Sequence, residues 1–185
     1  MGGEHRLLVV RAVAGGGSDV LRTVRRFRDV SPLPWANGAG ETSEFVSFPA
    51  SVRLDPEGAP WRLSVARLTA VGPFSPLPDV RREFSPLGGD VSLRVDGVLH
   101  EVREREVLSF SGASATELVR LERPCWAVNL MQRTGRAGDD VHLVSAASPP
   151  VATRVVVAVA AEAEPPDVEA LDLLGPGSAH AVLAG

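Results

Sequence analysis

The chain has 185 residues, 44% of them hydrophobic and 23% charged, with a net charge of −4. These are globular proportions for one ordinary domain or two small ones, so disorder and fibre are excluded for the whole. Mild acidity argues against a nucleic-acid partner, which calls for a basic face. The chain contains no Lys, Tyr or Ile, and its nineteen Lys+Arg positions are therefore all Arg. Without a side-chain amine there is no Schiff-base chemistry of the pyridoxal or aldolase kind. A single cysteine, Cys125, allows no internal disulfide and no Cys-based zinc site, which fits a reducing, cytoplasmic compartment. No apolar run reaches the ~20 residues of a membrane span, and the first seventeen residues are not expected to act as a signal peptide.

In chain order, residues 1–19 are expected to be an N-terminal extension or edge strand, ending in the flexible Gly15-Gly16-Gly17-Ser18, and 20–185 a single domain. Pro (15) and Gly (18) are spread throughout; at this frequency they interrupt helices. No segment keeps a helical period over three turns, whereas several alternate, the pattern of an all-β sandwich or barrel. Trp61-Arg62-Leu63-Ser64-Val65-Ala66-Arg67-Leu68 reads as a strand with an apolar row (Trp61, Leu63, Val65) and a small polar row (Arg62, Ser64, Ala66). The polar row faces water in a sheet, or lines a wet pocket in a barrel. Asp96-Gly97 between two alternating runs predicts a type I′ hairpin. Its register pairs Val95 with Val98, Leu93 with His100 and Val91 with Val102, all on the core face. Further strands are expected over 104–110, 118–123 and 126–131. Residues 151–161 are almost wholly apolar and are expected to be buried on both faces, followed by a turn over 162–166.

Chemistry-bearing motifs are sparse. The four histidines, His5, His100, His142 and His180, have no pair at metal-ligand spacing, so no metal and no cofactor is expected. There is no nucleophile elbow around a serine, and Cys125 reads as a buried, inert thiol. Two polar clusters remain, Trp35-Ala36-Asn37-Gly38-Ala39-Gly40-Glu41-Thr42-Ser43-Glu44 and Asn129-Leu130-Met131-Gln132-Arg133. They hold the only two asparagines of the chain. Asn37-Gly38 alone reads as a turn; Thr42 and Glu44 project together if a strand begins at Glu41.

At these residues the sequence resembles the HutD/Ves family. The opening block runs from Pro34 to Glu44. Three more follow in order: Trp61 to Ala66; Gly72-Pro73-Phe74-Ser75 with Pro78 and Arg82; and Asn129-Leu130-Met131 with Arg133 and Gly135. Together they span about residues 31–145. The resemblance implies a cupin-type double β-barrel (a bicupin, or RmlC-like jelly roll). It also implies a protein of histidine utilisation that binds a small acidic metabolite, such as formylglutamate or urocanate, and acts as a regulator with no firmly attached reaction. Three positions depart from the family pattern: Arg81 and Ala127 stand where Asp is usual, and Ala39 where Gly often is.

The ligand-binding set expected from these blocks is Asn37, Thr42, Glu44, Arg62, Ser64, Arg82 and Asn129, with Trp35, Trp61, Met131 and His100 as pocket wall. Arg matches a carboxylate bidentately, and Asn both donates and accepts, as a formyl or amide group requires. Against this stands an internal network in which Arg62 simply pairs with Glu44. The alternative function is a metal-free cupin isomerase or epimerase, with Glu44 or His100 as general acid/base. A third reading is an interaction module with a vestigial pocket. The partners expected are a small carboxylate, no nucleic acid, no membrane, and by analogy with cupins a homodimer.

Overall fold

The computed structural model describes residues 7–12, 21–26, 30–36, 38–54, 56, 58–135, 141–146, 156–159 and 171–176. Side chains are described over 30–36, 38–53, 56, 58–135 and 141–143. Asn37, His5, His180 and the Gly15 to Ser18 break lie outside the described residues, as do 151–155 and 160–166.

Two compact units divide the chain, residues 31–138 and the two ends, 1–30 with 139–185. In chain order the strands are β1 (Leu7–Ala12), β2 (Leu21–Arg26), β3 (Leu33–Pro34) and β4 (Gly40–Val46). After helix α1 (Phe48–Leu54) come β5 (Trp61–Leu68), β6 (Gly72–Pro73), β7 (Val80–Leu87), β8 (Val91–Val95) and β9 (Val98–Val102). Then follow β10 (Leu108–Ser111), β11 (Thr116–Leu121), β12 (Cys125–Arg133), β13 (Val141–Ala146), β14 (Val156–Val159) and β15 (Leu171–Pro176).

The unit of the two ends holds a β1-β13 pair and a three-stranded sheet, β14-β15-β2, all antiparallel. The unit 31–138 holds a six-stranded sheet, β10-β7-β12-β5-β4-β3, and a four-stranded sheet, β6-β11-β8-β9. All of its described ladders are antiparallel, and neighbours far apart in sequence give it the crossing connectivity of a jelly roll. The two sheets remain separate ladders; among the described residues no pairing closes them into a barrel.

Side-chain alternation sorts the six-stranded sheet into two faces. Ala66 and Leu68 of β5, Phe84 of β7 and Cys125 and Ala127 of β12 pack against Val91, Leu93, Val95, Val102 and Leu118 of the smaller sheet. This is the core of the unit. The row Arg62, Ser64, Ala66, Leu68 therefore faces the space between the sheets. The apolar row Trp61, Leu63, Val65 lies on the opposite face and is also buried, at 1%, 0% and 0% exposure.

The β8–β9 hairpin has the expected register, with Val95 opposite Val98, Leu93 opposite His100 and Val91 opposite Val102. Asp96 and Gly97 both have positive φ (47° and 85°), as a type I′ turn requires, and the Asp96 carboxylate accepts the Ala115 N–H at 2.8 Å. Burial fades toward the turn: Val102 is buried, His100 is half-buried and Val98 is 59% exposed. The expected strand over 104–110 is shorter, because Glu104 and Arg105 form a turn and β10 begins at Leu108.

Helix α1 falls where no helix was expected. Ser47 caps it, its Oγ accepting the Ala50 N–H and its carbonyl the Ser51 N–H, and Pro49 sits in the first turn, where its missing N–H costs nothing. Ser51 Oγ then accepts the Trp61 N–H at 2.9 Å, tying the helix to the start of β5.

Candidate functional site

The inner face of the six-stranded sheet changes character along its strands. Near Cys125, Ala127 and Leu68 it is apolar and closed. Two to four residues further along β12 it becomes polar. Asn129 pairs with Ser64 on one side and Phe84 on the other, and Met131 with Arg62 and Arg82. Arg62 and Arg82 thus flank Met131 on strands two apart, with backbones about 10 Å from each other.

These side chains open on a cavity of about 530 Å³, lined among others by Trp35, Thr42, Glu44, Arg62, Phe74, Ser75, Arg82 and Met131. That is the size of a small-metabolite site. On one side, β4 brings in Thr42 and Glu44, two residues apart on one face. A bulge between Glu44 and Val46 lets Phe45 and Val46 both be buried while Glu44 keeps its aim at the cavity. Glu44 Oε2 lies 2.6 Å from Arg62 Nε. Trp35, in the β3–β4 turn, donates its indole N–H to Thr42 Oγ1 at 2.7 Å. Gly40 permits this packing: a Cβ there would meet the Arg67 carbonyl oxygen at 2.2 Å and the Trp35 ring at 3.3 Å.

Arg82 is held differently. Its Nε and Nη2 both donate to Asn129 Oδ1, at 3.1 and 2.7 Å. Its guanidinium lies over the Phe74 ring, 4.5 Å from the centroid, and near Phe110 at 5.6 Å. Among the described residues no carboxylate pairs with it. Burial, and secondarily the nearby Arg62 cation, lower its pKa to about 10, so it remains charged at neutral pH. Two guanidinium cations and one carboxylate leave the site with a net charge of one positive.

Apart from Asn37, which lies outside the described residues, the expected residues fall into three groups. Thr42, Glu44, Arg62, Arg82, Trp35 and Met131 line the cavity. Ser64 and Asn129, 2% and 3% exposed, lie on the same face beneath it; Asn129 supports Arg82 and is not part of the lining. Trp61 and His100 are not cavity wall. Trp61 has the opposite parity to Arg62 on β5 and points to the other face of the sheet. His100 sits on β9, the edge of the smaller sheet, opposite Leu93. The lining also takes in Leu33, Phe74, Ser75 and Leu77, which sequence reasoning did not place there. Phe74 and Ser75 were visible only as members of the Gly72-Pro73-Phe74-Ser75 block.

The HutD family model matches residues 28–169. The chain belongs to the HutD family. It is 33% identical over 121 residues to Protein Ves of Citrobacter koseri, covering 62% of this chain and 61% of that protein. To Protein Ves of Cronobacter sakazakii it is 32% identical over 123 residues, covering 63% and 65%. The matched part is therefore just under two thirds of the length of these curated relatives. Among solved structures, a conserved protein of unknown function from Pseudomonas aeruginosa PAO1 is 36% identical, with a TM-score of 0.52, over 61% of this chain and 56% of that one. HutD from Pseudomonas fluorescens SBW25 is 26% identical, with a TM-score of 0.51, over 62% and 61%. The β-sheet architecture expected from the sequence stands, with a single short helix among the described residues.

The departures of this HutD-family chain can now be placed. Arg81 does not add charge to the cavity. It has the opposite parity to Arg82 and is engaged on the other face, donating to Gln132 Oε1 at 2.8 Å and lying 3.7 Å from Glu83. Ala127 is fully buried in the core, below Asn129, so the floor here is apolar. Among the described residues no group of three or more His, Cys, Asp or Glu could hold a metal ion, and no helix is long and apolar enough to cross a membrane.

Proposed function

We propose that this chain binds a small carboxylate metabolite, of the formylglutamate or urocanate type, between Arg62 and Arg82, and through that binding modulates histidine utilisation or a related amino-acid catabolic pathway. The observation that carries the reading is Arg82, a half-buried guanidinium with no carboxylate partner among the described residues, beside a cavity of about 530 Å³. Burying a cation without an anion is costly, and an incoming carboxylate would supply the missing charge through charge-assisted hydrogen bonds. Trp35, Phe74 and Met131 offer apolar surface for the body of the ligand, and Thr42 and Ser75 offer hydroxyls. The family name supports the pathway.

The isomerase alternative has less to stand on. Glu44, its candidate general base, is ion-paired to Arg62, and His100 lies outside the cavity lining. Thermal-shift and calorimetric titration with urocanate, formylglutamate and related acids test the reading. A ligand at a hundred times its Kd should stabilise the fold by about 2.7 kcal/mol. No rise in melting temperature across a broad panel of such acids would refute it.

A further inference from the structure

The cavity presents two arginines, but the protein treats them unequally. Arg62 has a carboxylate, Glu44, at 2.6 Å. Arg82 has an oxygen at an equivalent distance, 2.7 Å, but it belongs to an amide. Asn129 Oδ1 accepts from both Nε and Nη2 of Arg82, the side-on edge of the guanidinium, where a carboxylate would dock equally well. Asn129 is 3% exposed and its Nδ2 faces the Ala127 carbonyl oxygen at 3.4 Å. It is thus fixed in place with its oxygen toward Arg82 by a donor that a carboxylate would lack.

We propose that Asn129 is the charge-selecting residue of the cavity: by positioning Arg82 with a neutral oxygen it leaves one positive charge for the ligand to neutralise, so that the site selects a monoanionic head group over its neutral isostere. The end-on edge, Nη1 and the second hydrogen of Nη2, has no partner among the described residues. Phe74 and Phe110 stack near the guanidinium and add no formal charge. Arg62 is already offset by Glu44, so one negative charge, and not two, balances the site.

This role rests on the cavity binding an anion at all, and the test separates the two. Calorimetry on the full chain compares urocanate with its primary amide, which has the same shape and no charge. The wild type should favour the acid. In N129D the guanidinium is neutralised from behind. A carboxylate about 6 Å from the bound anion, at an effective dielectric of about 20, lowers the preference for acid over amide roughly a hundredfold. N129D gains an ion pair with Arg82 and loses the Nδ2 donor that faces the Ala127 carbonyl oxygen, so its fold is checked by denaturation before its binding ratio is read, and the wild-type acid-over-amide ratio is the arm that does not depend on it. A merely structural role for Asn129 would weaken acid and amide alike and leave their ratio unchanged. A wild type that binds acid and amide equally, or a folded N129D chain that keeps the preference, overturns the assignment while leaving anion binding intact. A wild type that binds neither compound overturns the binding reading and this role with it.

Discussion

Replacing Arg82 by Met separates a ligand-binding arginine from one that holds the sheet together. Its removal forfeits the hydrogen bonds to Asn129 Oδ1 at 2.7 and 3.1 Å, worth about 1.5–3 kcal/mol for a charged donor. It also forfeits the contact with the Phe74 ring at 4.5 Å, worth about 1 kcal/mol. Against this, keeping the guanidinium charged with its pKa lowered to about 10 costs the native state roughly 3 kcal/mol, and Met removes that cost. Met is unbranched and fills the same channel. The two sides nearly cancel, so R82M should change stability by no more than about 1–2 kcal/mol, a few degrees in Tm for a chain of this size. Its affinity for urocanate should fall about a hundredfold, since the charge-assisted pair is lost. Chemical denaturation gives the first quantity and calorimetry the second. A loss of stability above about 4 kcal/mol would make Arg82 a structural strut, and unchanged affinity would place the anion elsewhere.

The alkaline range offers a clean titration, because the chain has neither Lys nor Tyr. Urocanate affinity should be flat from pH 8 to 9 and fall above about pH 10 as Arg82, whose folded pKa is depressed, loses its cation; a flat profile to pH 11 would contradict this. Burial raises the Cys125 thiol to about 11, so its contribution is full below about pH 9 and lost as pH rises through about 11, roughly 2–3 kcal/mol in all. C125A should flatten that part of the stability curve without altering affinity. G40A should cost about 2–4 kcal/mol in denaturation, since its Cβ would meet the Arg67 carbonyl oxygen at 2.2 Å; wild-type stability in that variant would mean that the Trp35 turn is not rigid. W61F should lower stability by about 1–2 kcal/mol and leave urocanate affinity unchanged, because Trp61 lies on the far face of the sheet. Lost affinity there would return Trp61 to the pocket wall.

Local chemistry made some of this legible from the sequence. Asp96-Gly97 dictated a turn with two positive φ values, and the turn then fixed the whole β8–β9 register. Thr42 and Glu44 share a face because strand parity leaves no alternative once β4 begins at Gly40. Alternation failed where both faces of a strand are buried. In β5 the apolar row Trp61, Leu63, Val65 looks like the core and the row from Arg62 like either a watery face or a pocket lining, and alternation alone does not choose; the inter-sheet space lies under Arg62, Ser64 and Ala66. Parity also says nothing of distance along the sheet, which is why His100, opposite a buried Leu93, is itself only half-buried at an edge strand. Asn129 was visible as a rare residue in a matching block, but its partner, Arg82, is 47 positions away. Only the antiparallel β7–β12 ladder brings them together. Helix α1 was hidden by its brevity, although Ser47 and Pro49 carry its start signal.

The most direct measurement of the central claim is a crystal structure of the chain with urocanate bound. The carboxylate should lie within hydrogen-bond distance of the free edge of Arg82, on the side away from Asn129 and between Arg82 and Arg62, with the ring against Trp35, Phe74 or Met131. Urocanate bound with its carboxylate in solvent, or on any other surface of the molecule, would contradict the account.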